Sequence, residues 1–556
     1  MPSDGGAAGA ATGSQSATVK RPATPSLAKA SGSMAVATLV SRITGFVWKI
    51  MLVWAAGIGV VNDSFTVANT LPNILYELLL GGVLASVVVP LLVRSQDDPD
   101  GGTEYTQRLV TVGMTMLAAG TVLAVALAPV FTKLYIDDST GEANSALATA
   151  FAYLVLPEIL FYGLAALLTA ILQAKHVFGP PAWAPVMNNV VVMITIGVFT
   201  MVPGEISLNP VRMGDAKLLV LGIGVTLGIA VQAVVLLPAL RRIGFRFRWR
   251  WGLDSRLREF GGLMLWTIGY AAISQVGWIF TTRVLTAATP GGATIYSNAW
   301  LLFQLPYGVI GVSLLTAIMP RMSRAAADGD TAKLVDDLSL ASRLSTVMLV
   351  PISAALTVAG SAIGIALFSY GNAGVADAAR LGDALAFSTF GILPYALVML
   401  QLRVFYAMKD ARTPTLIMIV MTAVKIPLLF MCADRLDSAD VVVGVMLVNA
   451  LTFVVGAVLG QMWLWVRLGR LQSMRVVRVI VLTVVAGVTG VLMAIGATAL
   501  LDMALPADIG ARFGAWLDLV VQGLVCLVVS FAVLALFRLP ELRPATTRIT
   551  RLVRRR

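Results

Sequence analysis

The 556-residue chain is 58% hydrophobic and only 13% charged, with a mean hydropathy of +0.86, which excludes an ordinary soluble domain and points to a polytopic membrane protein. Two cysteines, Cys432 and Cys526, in or near apolar helices and a single histidine, His176, offer neither a disulfide framework nor a metal-binding cluster. The net charge of +12 would suit a nucleic-acid binder, but its distribution along the chain argues for a membrane surface instead.

Residues 1–33 are rich in Ala, Gly, Ser, Thr and Pro and are expected to form a disordered cytoplasmic tail, with no apolar core of a signal peptide before Met34. About fourteen apolar runs follow, each long enough to cross a hydrocarbon layer of about 30 Å as a helix. They cover 34–59, 64–93, 107–132, 145–173, 181–203, 216–239, 259–287, 294–320, 340–369, 381–407, 413–432, 440–466, 476–501 and 514–537. Of the 41 Lys and Arg, 30 fall in the tails and in the loops on the N-terminal side, 6 on the opposite side and 5 within the runs. The positive-inside rule therefore places both termini in the cytoplasm, as an even number of spans requires.

Loops on the opposite side are acidic, with Asp137, Asp138 and Glu142 in one and Asp434, Asp437 and Asp440 in another, and read as ordinary solvated surface. The basic stretch RRIGFRFRWRW (241–251) interleaves Arg with Phe and Trp between two spans. Such a pattern suits the anionic inner leaflet better than nucleic acid.

Charges inside the apolar runs cost about 2.5–3.5 kcal/mol each at a helix centre, so they are kept where they meet water or a partner. Arg42 and Lys49 lie two helical turns apart in the first run and share a face. Either they line an aqueous cavity that accepts an anion, or Arg42 snorkels and Lys49 pairs with Glu77 or Asp63. Arg283 and Lys425 are further intramembrane cations, Arg403 lies near the inner end of its span, and Glu158 follows Pro157. Pro72, Pro157, Pro185, Pro306, Pro414 and Gly81-Gly82 mark expected bends or breaks.

An internal repeat spaces Pro72 from Pro306, Pro90 from Pro320 and Pro185 from Pro414 at similar intervals. It predicts an all-α protein of two six-helix lobes in parallel repeat, 34–250 and 251–470, with helices thirteen and fourteen in 471–537 and a basic cytoplasmic tail at 538–556. The interface between such lobes is where a transporter places its substrate site.

The chain resembles the MviN/MurJ lipid II flippases of the multidrug/oligosaccharidyl-lipid/polysaccharide exporter superfamily. The resemblance rests on SRITGF (41–46), DSFTVANTLPN (63–73), Pro90, FGPPAWAPVMNN (178–189), LPYGVIGVSLLTAIMPRMS (305–323) and FYAMKDARTP (405–414), in this order and spacing. It implies two lobes around a cationic cavity of alternating access, with lipid II as the transported partner, membrane lipids around it and other cell-wall synthesis proteins as further candidate partners. The prenyl tail would lie along a groove made by the last two spans. Arg42 and Asp63 stand where the family has an arginine and an acid. Three family cations fall instead on Trp48, on Tyr76 and near Trp300 or Leu301. Lys49, Arg283 and Lys425 are the expected replacements, and Ser41 and Glu77 complete the expected substrate-binding set.

No Walker A sequence, nucleophile elbow or kinase signature occurs, so the expectation is a transporter rather than an enzyme, without a cofactor. Membrane potential or an ion gradient would supply the energy, and a coupling cation stays open. An exporter of another polyprenyl-linked glycan or of drugs, and a non-transporting cell-wall scaffold, are the alternative readings.

Overall fold

The computed structural model describes residues 27–76, 89–252, 261–469, 471–504 and 510–542. Its helices are α1 (Leu27–Ala56), α2 (Val60–Tyr76), α3 (Val89–Arg94), α4 (Thr103–Ala126), α5 (Ala128–Tyr135), α6 (Ser145–Val155), α7 (Glu158–Ala174), α8 (Gly179–Met201), α9 (Ala216–Val234) and α10 (Leu237–Arg242). The second series is α11 (Gly261–Ala288), α12 (Gly292–Pro306), α13 (Val312–Ala327), α14 (Thr331–Val358), α15 (Gly360–Phe368), α16 (Val375–Ser388), α17 (Ile392–Ala407), α18 (Arg412–Arg435) and α19 (Val441–Leu468). Two more helices close the chain, α20 (Ser473–Ala504) and α21 (Ala511–Leu536).

Apolar runs with no water to satisfy their backbone must pair it internally, which is why they are helices. Twelve helical units among the described residues are long and apolar enough to cross a membrane. The other two expected spans fall on α2, only 17 residues long before the undescribed stretch 77–88, and on α11. Both touch the opposite half of the molecule. A helix facing protein and water carries more polar residues than one facing lipid, and Asn62, Asp63, Ser64, Ser274, Gln275 and Arg283 reduce the apolarity of these two.

The parallel repeat is visible in the packing. In the first half α1 packs on α8, α8 on α9, α2 on α6, α4 on α7 and α7 on α9. In the second half α11 packs on α18, α18 on α19, α12 on α16, α14 on α17 and α17 on α19, the same arrangement ten elements later. Each half has its own core, one around Phe65, Phe151 and Leu156 and the other around Tyr296, Phe368 and Leu385. Helices α20 and α21 pair with each other and rest on α14 and α15.

One expectation needs correction. Helix α1 starts at Leu27, so residues 27–33 of the expected disordered tail are helical; Leu27, Ala28, Lys29 and Ala30 favour helix beyond the membrane edge. Pro157 and Pro306 do break helices, at the α6–α7 junction and before a π-helical turn (Tyr307–Gly311). Pro72 and Pro185, by contrast, lie inside continuous helices. Neighbouring helices and local adjustments re-satisfy freed backbone groups in such settings. Gly81-Gly82 and Glu77 lie outside the described residues.

Candidate functional site

The two halves meet at the face opposite the basic loops, and the contacts there follow the repeat. From the first half, the end of α1 reaches the α15–α16 loop. Trp54 Nε1 donates to Leu367 O (2.9 Å), Asn372 N donates to Trp54 O (2.9 Å), and Asn372 Nδ2 donates to Ala55 O (2.7 Å). From the second half, the end of α11 reaches the α5–α6 loop. Arg283 Nη1 donates to Lys133 O (3.0 Å), Arg283 Nη2 donates to Asp137 Oδ2 (2.7 Å), and Asp137 N donates to Thr286 Oγ1 (3.4 Å). Gly371 has φ +61°, and a side chain there would drive into Trp54 O, so only glycine allows this approach.

Asp63 holds the middle of this closure. It sits in the first turn of α2, 3% exposed, and accepts across the interface from Gly291 N (2.8 Å), Thr294 N (2.8 Å) and Thr294 Oγ1 (2.7 Å) at the start of α12. A carboxylate facing the first amides of a helix is a favourable pairing of charge with orphan donors. Gly291 itself takes φ +86°, packed against Ile58 and Gly59, which lets the chain turn into α12 at this contact.

Deeper, Arg42 of α1 reaches the second half. Its Nη1 lies against Gly308 in the π-helical turn, where an added side-chain carbon would come within 2.5 Å. The neighbouring Ser41 contributes its backbone: Asn189 Nδ2 of α8 donates to Ser41 O and to Thr44 Oγ1, both 2.9 Å, and locks α1 onto α8. SRITGF and the Asn of FGPPAWAPVMNN are therefore one structural unit that orients Arg42. Tyr307, in the same π turn, packs edge-on to Tyr395 at 4.9 Å, and Arg403 of α17 lies close enough to Tyr307 to interact with it electrostatically.

The remaining expected cations are dispersed. Lys49 lies over the ring of Trp48, 4.5 Å from its centroid, and among the described residues it pairs with no carboxylate; Asp63 takes backbone amides instead. Arg283, expected in the cavity, is held by Asp137 at the interface between the halves. Lys425 points into a cavity of about 190 Å³ within the second half, beside Ser274, Thr422, Asn449 and Thr452 and near Trp300. The positions matched to absent family cations are aromatic and packed: Tyr76 stacks on Tyr162 (5.9 Å), and Trp300 stacks on Phe303 (5.0 Å) and Phe453 (5.8 Å). The structure thus brings Asp63 and Arg283 together in one closure and Arg42 to the π turn, and leaves Lys49 and Lys425 apart from both.

Sequence reading missed Asp137 and Asn372, taken as surface or not noticed. It also missed the π turn, although the adjacent Pro306 and Gly308 are its visible signals. No group of three or more His, Cys, Asp or Glu among the described residues is placed to hold a metal ion.

The family model described as lipid II flippase MurJ matches residues 53–506. A probable lipid II flippase MurJ of Rhizobium meliloti (strain 1021) is 27% identical over 437 residues, covering 77% of this chain and 79% of that protein. The lipid II flippase MurJ of Burkholderia cenocepacia is 27% identical over 391 residues, covering 69% and 73%. Among solved structures, a lipid II flippase MurJ in an inward closed conformation superposes with a TM-score of 0.68 at 17% identity, over 89% of this chain and 97% of that one. An inward-facing multidrug resistance MATE family transporter superposes with a TM-score of 0.61 at 15% identity, over 79% and 98%. These two likenesses speak for the fold.

Proposed function

The chain belongs to the lipid II flippase MurJ family, and on that premise we propose that it carries lipid II across the cytoplasmic membrane by alternating access between its two halves. The observation that carries the geometry is the position of Arg42. It extends from one half onto a π-helical break in the other, beneath a face that Asp63, Asp137 and Asn372 seal. A diphosphate is too costly to take through hydrocarbon unescorted, and a guanidinium offers planar, charge-assisted hydrogen bonds to phosphate oxygens. Opening the sealed face while closing the basic one would release the headgroup on the far side.

The prenyl chain needs an apolar path rather than a cavity. A groove of about 580 Å³ between α14, α17 and α20, walled by Val350, Ala354, Leu393, Val484, Val488 and Val491, supplies one on the lipid side. The excess of Lys and Arg in the loops on the N-terminal side supports a cytoplasmic location for both termini. Energy comes from the membrane potential acting on charge, about 2.3 kcal/mol per charge per 100 mV, or from a coupled cation.

The test is lipid II accessibility at the outer leaflet in cells depleted of the protein, with charge variants supplied back. The outer pool is expected to fall on depletion, to recover with the wild-type chain and not to recover with Arg42→Ala. Unchanged translocation without the protein would overturn the reading.

A further inference from the structure

The geometry points to a binding site for an anionic glycerophospholipid on the first half, at its basic membrane edge, separate from the interface between the halves. A cavity of about 680 Å³ lies between α4, α7 and α10, a volume within the range of about 300–1,000 Å³ typical of ligand sites. Its walls are Val110 and Met114 of α4, Leu164 and Leu168 of α7, and Leu237 and Leu240 of α10, all apolar, as an acyl chain requires. The remaining wall is Arg241, in the last turn of α10, and the segment that follows the helix, which contributes Arg246 and Phe247. Apolar depth and cationic rim are thus built from adjacent residues.

The segment itself is anchored. Gln107 Nε2 of α4, a buried side chain, donates to Arg246 O (3.0 Å), Arg250 N donates to Thr111 Oγ1 (3.1 Å), and Arg250 pairs with Glu104 (3.5 Å). Held this way, Phe247, Trp249 and Trp251 form a ladder of edge-to-face rings with centroids 6.2 Å apart at each step. They are 48%, 58% and 61% exposed, an arrangement that makes sense at the headgroup level of a bilayer, where amphipathic rings are favoured, and not in open water. Among the described residues Arg241, Arg242, Arg246 and Arg248 pair with no carboxylate. A phosphate at the rim answers this unneutralised charge, and the chain below answers the cavity.

The site rests on the membrane placement of the fold and not on the identity of the transported lipid, so its test reads bound lipid rather than translocation. The full chain is reconstituted in nanodiscs of phosphatidylglycerol and phosphatidylcholine, moved into detergent, and the retained lipid is counted by native mass spectrometry. The wild type is expected to keep one phosphatidylglycerol. The R241Q/R246Q variant is expected to lose at least tenfold of that occupancy, and Met114→Trp, which fills the cavity from a half-buried position, is expected to lose it as well. Arg212→Gln, on the opposite face, is expected to retain the lipid. Equal retention of the two phospholipids by the wild type, or undiminished retention in both rim and cavity variants, would overturn the assignment. So would preferential retention of a polyprenyl diphosphate lipid when both are offered.

Discussion

Arg283 Nη2 lies 2.7 Å from Asp137 Oδ2, and the two residues come from different halves of the molecule. Both side chains are partly exposed, so the pair adds only about 1 kcal/mol to the closed face, or about a fivefold bias in population. Arg283→Gln and Asp137→Asn are each expected to raise the thiol-labelling rate of a cysteine introduced at Ser297 by about that factor. The charge-swapped double variant is expected to return it toward wild type; a swap with no recovery would remove the ion pair from the closure. Hydrogen bonds from Ser139, aided by the Arg283 guanidinium, hold the Asp137 carboxyl below its ordinary range. A lowered folded-state pKa gives a contribution that is complete above about pH 4 and fades only as pH falls through the lower value. Labelling is therefore expected to stay flat between pH 5 and pH 8.

Asp63 is a stronger element of the same closure, because it is buried and accepts from three donors. Asp63→Ala leaves the amides of Gly291 and Thr294 without partners, at about 1–3 kcal/mol each, so the closed population is expected to drop more than tenfold. Asp63→Asn is expected to resemble it, since one amide N–H would face a donor. Thr294→Val removes a single donor with its hydroxyl and is expected to be milder, at about 1 kcal/mol. Complementation of a depleted strain, with membrane levels checked by immunoblot, ranks the three. Equal growth of Asp63→Ala and wild type would sink the role.

Arg42 and Gly308 form a pair that separates charge from space. Arg42→Ala is expected to abolish complementation, and Arg42→Lys to restore it only in part, because an ammonium lacks the planar fork. Gly308→Ala places a carbon 2.5 Å from Arg42 Nη1, too close for contact, and the end of a flexible side chain can move aside, so the fold is expected to survive. Displacing the guanidinium from one charge-assisted contact is expected to slow translocation about tenfold at normal protein level. Wild-type rates in Gly308→Ala would mean that the guanidinium works elsewhere.

These residues show what could be read from the sequence. Apolar runs give away helices because nothing else satisfies backbone in lipid, and the proline spacing exposed the repeat that the packing of α1–α9 and α11–α19 displays. Arg42 stood out because a cation in an apolar run demands an explanation. The partners did not stand out. Asp63 was marked by the family resemblance, but the backbone amides it binds carry no sequence signature, and Asp137 lies in a short acidic loop like any solvated one, 146 residues from the arginine it meets. Arg283 looked like a cavity cation because sequence gives depth along a helix but not which neighbour the helix end will touch.

Helix packing in the second half supplies a stability test independent of transport. Helices α15 and α16 cross so closely that a side-chain carbon on Gly382 would lie 2.2 Å from Gly360 O and 2.6 Å from Ser361 Cα, both backbone atoms that cannot step aside. Gly382→Ala is therefore expected to force the helices apart and to cost about 1–3 kcal/mol, the usual price of overpacking. Gly496, inside α20, has nothing within 4 Å of such a carbon and no left-handed backbone. Gly496→Ala removes backbone freedom from the unfolded chain without a clash and is expected to leave stability unchanged or raise it by up to about 1 kcal/mol. Thermal unfolding in detergent, followed by the fluorescence of a thiol dye at the buried Cys432 and Cys526, measures both. A lower midpoint for Gly382→Ala beside an equal or higher one for Gly496→Ala is the expected pattern, and equal midpoints for Gly382→Ala and wild type would show that α15 and α16 are not in backbone contact.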